Sequence, residues 1–295
     1  MAPLSVAPTF CSGGSARDAR RWAARLLAGT SDTPRLDAEV LLTHVLGISR
    51  EILYAQGERR LSGAQAKRYT ELVRRRLQHE PVAYLIGHRA FYDVELSVDP
   101  RVLIPRPETE LLIEMALDWS TGARRKCLRV VDVGTGSGAL AIVLARHLPE
   151  AQITATDISR EALRVAAINV RAYRLQGRIS LVQADLLVAI AGPLDLIVAN
   201  PPYVPQERLP TLPEDVRVYE PMRALDGGAN GLEIIQELLR QAAERLARPG
   251  LFLTEIDATQ RHSVRTMATR QWPNGRVNIV PDYAGMDRVL RVELL

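Results

Sequence analysis

Four consecutive residues, Asn200, Pro201, Pro202 and Tyr203, follow an apolar run at 194–199 that predicts a buried strand. Ligands of open α/β sheets bind beyond the carboxyl ends of the strands, where these four residues are expected to lie. Asn200 Oδ1 and the Pro201 carbonyl can accept both hydrogens of a planar NH2 group, whose weakly nucleophilic nitrogen must be oriented before it reacts. The segment therefore indicates a pocket for an amino or amide group, with a plain strand-ending turn as the alternative.

A second candidate site is a glycine-rich segment between a predicted strand at 128–133 and a predicted helix at 139–147. It consists of Gly134, Thr135, Gly136, Ser137 and Gly138. Glycines here allow a positive φ and a close approach of a ligand to the backbone. Asp157 follows the next predicted strand, where a carboxylate can accept the hydroxyls of a ribose. Together these residues predict a site for a cofactor that contains a nucleoside.

The identity of that cofactor is less constrained, because the glycines also match a loose dinucleotide fingerprint. Asp185 and Leu186 follow the third predicted strand, at a position suited to an adenine edge. S-adenosylmethionine fits the chain better than NAD, because the fourth predicted strand ends in Asn-Pro-Pro-Tyr rather than in a hydride-acceptor pocket. The methionine end of this cofactor is cationic, so nearby carboxylates such as Asp132 and Glu110 are chemically sensible. The alternative role for Asp132 is to stabilise the loop through backbone N–H groups.

Strands and helices alternate along the C-terminal two thirds of the chain, which predicts an α/β fold with a doubly wound, mostly parallel, Rossmann-like sheet. The seven predicted strands lie at 128–133, 152–156, 179–182, 194–199, 251–256, 277–280 and 289–294. The predicted helices of this part lie at 111–119, 139–147, 160–172 and 233–246. The last two strands are expected to form a hairpin.

The N-terminal part differs in composition. After a start that we predict to be disordered, helical periodicity at 16–28, 35–46 and 62–79 predicts a small helical bundle, and 91–98 predicts a hairpin that links it to the sheet. Residues 1–85 contain 13 Arg and Lys against 8 Asp and Glu, whereas the other 210 residues contain 25 against 26. This basic segment suggests a negatively charged macromolecular partner, although solvated helix faces explain the charge equally well.

Several function classes are disfavoured by composition. The two cysteines, Cys11 and Cys127, and five scattered histidines offer no metal-ligand spacing and no disulfide framework, so we expect free thiols and no metal. No apolar stretch reaches the length of a membrane span, and residues 1–14 lack the features of a signal peptide. We therefore expect a cytoplasmic enzyme without a membrane partner.

Motifs along nearly the whole chain point to one family. They are Pro-Val-Ala-Tyr-Leu-Ile-Gly at 81–87, Phe-Tyr at 91–92, Leu-Ile-Pro-Arg-Pro-Glu-Thr-Glu at 103–110, the glycine-rich segment, Asp157, Asn-Pro-Pro-Tyr and Ala-Gly-Met-Asp-Arg at 284–288. With them the chain resembles the protein-(glutamine-N5) methyltransferases specific for peptide chain release factors, the HemK/PrmC family. Asn-Pro-Pro-Tyr alone is shared with amino-methyltransferases of DNA, whereas Ile-Pro-Arg-Pro-Glu-Thr-Glu is more selective.

The resemblance implies methyl transfer from S-adenosylmethionine to the glutamine of the Gly-Gly-Gln loop of release factors, in translation termination. It implies that 1–85 helps to hold the protein partner, that 86–106 is a hairpin linker and that 107–295 is the methyltransferase domain. Asn200, Pro201 and Tyr203 would be catalytic, Pro202 would complete the substrate pocket, and Asn200 would border the cofactor. One departure from the family pattern is Asp257, where glycine is usual.

Two other functions stay open on the residues alone. An adenine N6-methyltransferase acting on nucleic acid would face the same problem of orienting an amino group. A binding module that kept the fold and lost the chemistry would also retain the cofactor residues. Little room remains after Tyr203 for a base-reading domain, so we expect no stable nucleic-acid partner.

Overall fold

A computed structural model describes residues 9–122 and 127–295, and the predicted disordered start falls largely outside them. Its described residues form two compact units, one up to Gly87 together with Pro213–Tyr219, the other His88–Leu212 together with Glu220–Leu295. The α-helices, in chain order, are α1 (Ala16–Leu27), α2 (Pro34–Leu46), α3 (Arg50–Ala55), α4 (Gly63–Arg76), α5 (Val82–Ile86), α6 (Glu110–Thr121), α7 (Ala139–His147), α8 (Arg160–Ala172), α9 (Glu214–Tyr219), α10 (Glu233–Ala243) and α11 (Arg261–Gln271).

The strands form one hairpin and one large sheet. They are β1 (His88–Phe91), β2 (Val94–Ser97), β3 (Arg129–Val133), β4 (Gln152–Asp157), β5 (Ile179–Gln183), β6 (Leu194–Ala199), β7 (Leu246–Glu255), β8 (Arg276–Pro281) and β9 (Asp287–Leu294). Short 3-10 turns lie at Pro107–Thr109, Gln206–Thr211, Met222–Ala224 and Ala258–Gln260.

The first unit is the predicted helical bundle. Two of its helices, α1 and α4, begin at serine caps: the Ser15 hydroxyl accepts from the Asp18 amide, and Ser62 forms a capping box with Gln65. Apolar side chains from α1, α2 and α4 meet in a common core. Within that core the Tyr69 hydroxyl donates to the Ala38 carbonyl at 2.8 Å, which satisfies the one polar atom of a fully buried ring.

The second unit contains the predicted seven-stranded sheet, in the order β5-β4-β3-β6-β7-β9-β8. The first five strands of that order are parallel, and β9 runs antiparallel to both its neighbours. The α/β prediction is therefore confirmed, including the terminal hairpin of β8 and β9. Helices pack against both faces of the sheet, because β3 and β6 are apolar on both sides.

Strand register brings the predicted site residues to one edge. Val133, the last residue of β3, pairs with Thr156 of β4 and with Ala199 of β6. The glycine-rich segment, Asp157 and Asn200 follow these three partners directly, so they lie side by side at the carboxyl ends of adjacent strands.

The β1–β2 hairpin supports the glycine-rich segment through Asn169 of α8. The Asn169 side chain is buried; its Oδ1 accepts from the Ser97 amide at 2.8 Å, and its Nδ2 donates to the carbonyls of Ser97 and Ser137. The β1–β2 hairpin lies within the second compact unit. The predicted division at 1–85, 86–106 and 107–295, with its linker and partner-holding roles, stays a prediction.

Some elements were not predicted. The four helices α3, α5, α9 and α11 were missed, and Pro81 is the N-cap of α5. Three of these four helices are no longer than six residues, too short for periodicity to identify. Across residues 9–122 and 127–295, none of the helices combines the length and apolar character that a membrane span requires.

Candidate active site

A cavity of about 860 Å³ opens at the carboxyl edge of β3, β4 and β6. Its volume lies within the range of roughly 300–1,000 Å³ that is usual for cofactor sites. The predicted residues that line it are Gly134, Thr135, Gly136, Ser137, Asp157, Asp185, Leu186, Asn200, Pro201 and Pro202. Two other predicted residues, Gly138 and Tyr203, do not line the cavity. The structure thus brings both predicted sites into one cavity.

The glycine-rich segment is a tight turn whose three glycines have φ values of 72°, 56° and 86°. Other residues rarely adopt this region, so the turn depends on glycine. The Thr135 amide donates to the Thr156 carbonyl at 2.8 Å, which ties the turn to β4. Gly138 contributes to packing: a Cβ there would lie 3.2 Å from Ile142 Cδ1.

Asp132 stabilises the glycine-rich turn, as the alternative role predicted, and it also lines the cavity. Its Oδ2 accepts from the Thr135 hydroxyl at 2.6 Å and from the Ala141 amide at 3.1 Å, which stabilises the turn. Its Oδ1 is buried and has no hydrogen-bond partner, and the residue lines the cavity. Burial raises the pKa of this carboxyl to about 7. A carboxylate that lines the cavity fits the cationic methionine end of S-adenosylmethionine.

Glu110, the second carboxylate expected there, is directed elsewhere. Its Oε1 accepts from the backbone amide of Tyr92 in the β1–β2 turn at 2.9 Å, and the residue does not line the cavity. The expectation that both carboxylates face the cofactor is therefore not met. The backbone amide of Tyr92 in the β1–β2 turn needs a hydrogen-bond acceptor, and the Glu110 carboxylate supplies it.

Asp157 is held in a fixed orientation at the end of β4. Its Oδ2 accepts from the Gly136 amide at 3.0 Å and its Oδ1 from the Ser159 amide at 2.8 Å. Burial raises the pKa of Asp157, and the charge of Arg223 on the facing wall opposes that effect. Each carboxylate oxygen keeps a second lone pair, so the group can still accept from two hydroxyls.

The side chain of Asn200 belongs to a buried hydrogen-bond chain. Asn200 Nδ2 donates to Thr109 Oγ1 at 3.0 Å, and Thr109 Oγ1 donates to Glu255 Oε2 at 2.7 Å. Tyr203 donates its hydroxyl to Glu255 Oε1 at 2.9 Å. Burial raises the pKa of Glu255, and hydrogen bonds from Thr109 and Tyr203 and the charge of Arg288 counteract this.

The backbone after Asn200 is clamped from two directions. Gln260 Nε2 donates to the Tyr203 carbonyl at 2.9 Å and to the Gly231 carbonyl at 2.8 Å. Gly231 has φ 73°, and a Cβ there would overlap the Tyr203 carbonyl oxygen. These contacts hold the Asn-Pro-Pro-Tyr segment in one conformation.

Asp257, the departure from the family pattern, causes no disturbance. It caps the 3-10 turn at Ala258–Gln260 with φ −73°, accepts from the Thr259 amide and forms a capping box with Gln260. It also pairs with Arg208 at 2.9 Å. The negative φ at Asp257 does not require glycine.

Sequence reasoning missed four residues that position the site: Thr109, Asn169, Glu255 and Gln260. Glu255 could have been noticed as an acidic residue at the end of an apolar strand, because such a group needs partners when it is buried. Thr109 lies in the motif at 103–110 but carries no periodic or charge signal. Asn169 and Gln260 act through contacts distant in sequence, which no local pattern indicates.

Comparisons with known proteins agree with this geometry. The PrmC N-terminal domain family matches residues 18–87, and the methyltransferase small domain family matches residues 109–212. A release factor glutamine methyltransferase from Moorella thermoacetica is 43% identical over 265 residues, 90% of this chain and 93% of that protein. One from Rhodopirellula baltica is 40% identical over 267 residues, 89% and 90% of the two chains. The chain belongs to the release factor glutamine methyltransferase family. This membership confirms the predicted enzyme class and S-adenosylmethionine as the cofactor.

Solved structures of other methyltransferases share the fold with this member of the release factor glutamine methyltransferase family. The hMettl16 catalytic domain, solved with MAT2A 3'UTR hairpin 1, has a TM-score of 0.55 and 17% identity, over 81% of this chain and 84% of that chain. The T. thermophilus 16S rRNA N2 G1207 methyltransferase RsmC, solved with AdoMet and guanosine, has a TM-score of 0.51 and 18% identity, over 70% and 50%. At such identities the similarity concerns the fold alone, and it agrees with the Rossmann-like prediction.

Proposed function

We propose that the protein methylates the side-chain amide nitrogen of the glutamine in the Gly-Gly-Gln loop of peptide chain release factors. The observation that carries the proposal is the Asn200 side chain, whose Nδ2 is committed to Thr109 at the wall of the cavity. Its Oδ1 is therefore the atom left to accept a hydrogen from an acceptor NH2 group. Membership of the release factor glutamine methyltransferase family supports the choice of a protein amide over other amino groups.

The cofactor side of the cavity would be held by the turn at Gly134–Gly138 and by three carboxylates. Asp132 Oδ1 would face the ammonium, Asp157 would accept from the ribose hydroxyls, and Asp185 with Leu186 would border the adenine. S-adenosylmethionine, when bound, supplies an electrophilic methyl group on a sulfonium ion.

On the substrate side, Asn200 Oδ1 and the Pro201 carbonyl would accept the two amide hydrogens of the glutamine. This holds the nitrogen lone pair toward the methyl group and stabilises the positive charge that develops on nitrogen during direct in-line transfer. Pro202 would form the side of the pocket. The proton can leave after methyl transfer, so the residues beside Asn200 need not include a strong base.

Tyr203 requires a changed role. The resemblance implies a catalytic role for Tyr203, but the residue does not line the cavity and its hydroxyl donates to Glu255 Oε1. In the proposal it supports the buried chain behind Asn200, and its backbone, held by Gln260, fixes the two prolines.

We also propose a cytoplasmic location, where release factors act.

The direct test is mass spectrometry of a purified release factor after incubation with this protein and S-adenosylmethionine. We expect one added methyl group on the glutamine of the Gly-Gly-Gln loop. A parallel reaction with duplex DNA and labelled cofactor tests the adenine alternative, and labelled DNA with an unmodified release factor would overturn the proposal. Cofactor binding without methylation of either would favour the non-catalytic module.

Asn200→Ala provides the matched test of the residue that carries the proposal. Removing the acceptor should lower kcat by about a hundredfold or more, since it acts on the reacting nitrogen. Calorimetry should give a cofactor Kd within a few-fold of wild type. If the cofactor affinity collapses together with the activity, Asn200 belongs to the cofactor site or to the fold instead.

A further inference from the structure

The side-chain amide of Asn200 can face the cavity in two ways, and only one is useful. With Oδ1 toward the cavity it accepts a hydrogen from an NH2 group, whereas with Nδ2 toward the cavity it would repel that group. The shape of the Asn200 side chain does not determine which orientation it adopts, because the amide has nearly the same shape in both. The choice must come from the residues behind it.

Those residues are Thr109 and Glu255, which are 5% and 1% exposed. A carboxylate accepts hydrogen bonds and cannot donate, so Glu255 takes the single proton of the Thr109 hydroxyl, at 2.7 Å. Thr109 Oγ1 then offers only a lone pair to Asn200. The group that meets it at 3.0 Å must be a donor, Nδ2.

The other oxygen of Glu255 is also fixed. It accepts from the Tyr203 hydroxyl at 2.9 Å, and Tyr203 is held in place through its backbone by Gln260. Burial raises the pKa of Glu255, whereas the hydrogen bonds from Thr109 and Tyr203 and then the charge of Arg288 favour the ionised carboxylate on which the direction of the chain depends. The carboxylate therefore has donors on both sides and a cation nearby, as a buried charge requires.

We propose that Thr109 and Glu255 are positioning residues that set the orientation of the Asn200 amide through a directional hydrogen-bond chain. The inference rests on the proposed function and adds two residues outside the Asn-Pro-Pro-Tyr segment. Glu255 does not line the cavity; Thr109 does line it, but its hydroxyl is committed to Glu255 and Asn200, so we place the effect of both residues on the Asn200 amide.

Thr109→Val keeps the shape of the side chain and removes the hydroxyl. The amide of Asn200 then loses its fixed orientation, and we expect kcat to fall about tenfold or more, with KM for the release factor and Kd for the cofactor within about threefold. Thr109→Ser restores a hydroxyl and should recover kcat to within about threefold of wild type. An unchanged kcat in Thr109→Val, or failure of Thr109→Ser to recover it, overturns the proposal.

Thr254→Val is the matched control, because Thr254 is a fully buried threonine adjacent to Glu255 whose hydroxyl donates to a backbone carbonyl. It should leave kcat within about twofold of wild type. Glu255→Gln tests the other end of the chain: a glutamine amide can donate as well as accept, so the Thr109 proton is no longer committed. We expect a loss of kcat comparable to that of Thr109→Val, and a wild-type kcat would remove Glu255 from the proposal.

A readout that needs no substrate separates this inference from the proposed function. The Asn200 side-chain amide resonances, assigned by their loss in Asn200→Asp, should exchange slowly with solvent in wild type and at least several-fold faster in Thr109→Val. Equal exchange in the two proteins overturns the orienting role. If exchange differs but no release factor is methylated, the chain is as described and the proposed acceptor is wrong.

Discussion

At the scale of single residues, Asp132 predicts how cofactor binding depends on pH. The residue lines the cavity, its buried Oδ1 has no hydrogen-bond partner within residues 9–122 and 127–295, and burial raises the pKa of the carboxyl to about 7. A cationic ligand group favours the ionised carboxylate, which becomes populated as the pH rises through that value. The affinity for S-adenosylmethionine should therefore rise up to about tenfold between pH 6 and pH 8, measured by calorimetry.

The control for this dependence is Asp132→Asn, which cannot ionise and should bind weakly at both pH values. The same raised pKa has a consequence for folding. Because the folded state holds the proton more tightly than the unfolded state, the stabilising contribution is complete below about pH 4 and is lost as the pH rises through about 7. A wild-type affinity that is flat from pH 6 to pH 8 would contradict the role of Asp132.

Asp157 should affect the cofactor rather than the chemical step. Asp157→Ala removes the proposed acceptor for the ribose hydroxyls and also the partner of the Gly136 and Ser159 amides. Hydrogen bonds to a charged group contribute about 1.5–3 kcal/mol, so the cofactor Kd should rise by about tenfold to a hundredfold. kcat at saturating cofactor should stay within a few-fold, the reverse of the pattern for Asn200→Ala. An unchanged Kd would remove Asp157 from the ribose site.

At the scale of elements, the 3-10 turn after β7 shows how an acidic residue replaces glycine. Asp257→Ala removes the capping oxygen and the ion pair with Arg208. Loss of a helix cap costs about 1 kcal/mol, and Asp257→Asn, which keeps a capping oxygen, should cost less. Thermal unfolding of both variants, with Arg208→Gln to isolate the ion pair, tests this. Equal stability of the alanine variant and wild type would show that the cap contributes nothing.

The elements that could be predicted from the sequence are those with a strong, uninterrupted pattern. Helices α7 and α8 begin and end at the predicted residues, and the sheet strands differ mainly at their ends. The exception is β7, which begins at Leu246, the last residue of a predicted helix and five residues before the predicted start of the strand. Leu246 pairs with Leu194 of β6 ahead of an irregular register, a tertiary pairing that no local pattern indicates.

In the candidate site, too, the residues with a local sequence pattern could be predicted and the others could not. The ligand-facing groups were predictable, because glycines, prolines and an aspartate at strand ends each have a local chemical reason to be there. The supporting groups were not, because their reason is a distant partner: Thr109 and Glu255 meet although 146 residues separate them. The same holds for the Tyr203 hydroxyl, since only the fold shows that it donates to Glu255.

At the scale of the whole molecule, the uneven charge predicts how the substrate is bound. The excess of basic residues within 1–85 includes exposed side chains on α1 and α4, among them Arg21, Arg25, Lys67 and Arg68. If an acidic face of the release factor meets this segment, KM for the release factor should rise several-fold between about 50 and 300 mM salt, with cofactor Kd unchanged, because salt screens exposed charges. Arg21→Gln with Arg25→Gln should raise KM at low salt and weaken its salt dependence. Arg265→Gln with Arg270→Gln removes the same charge from α11 in the other unit and should leave KM unchanged; equal effects of the two pairs would assign the salt dependence to net charge alone.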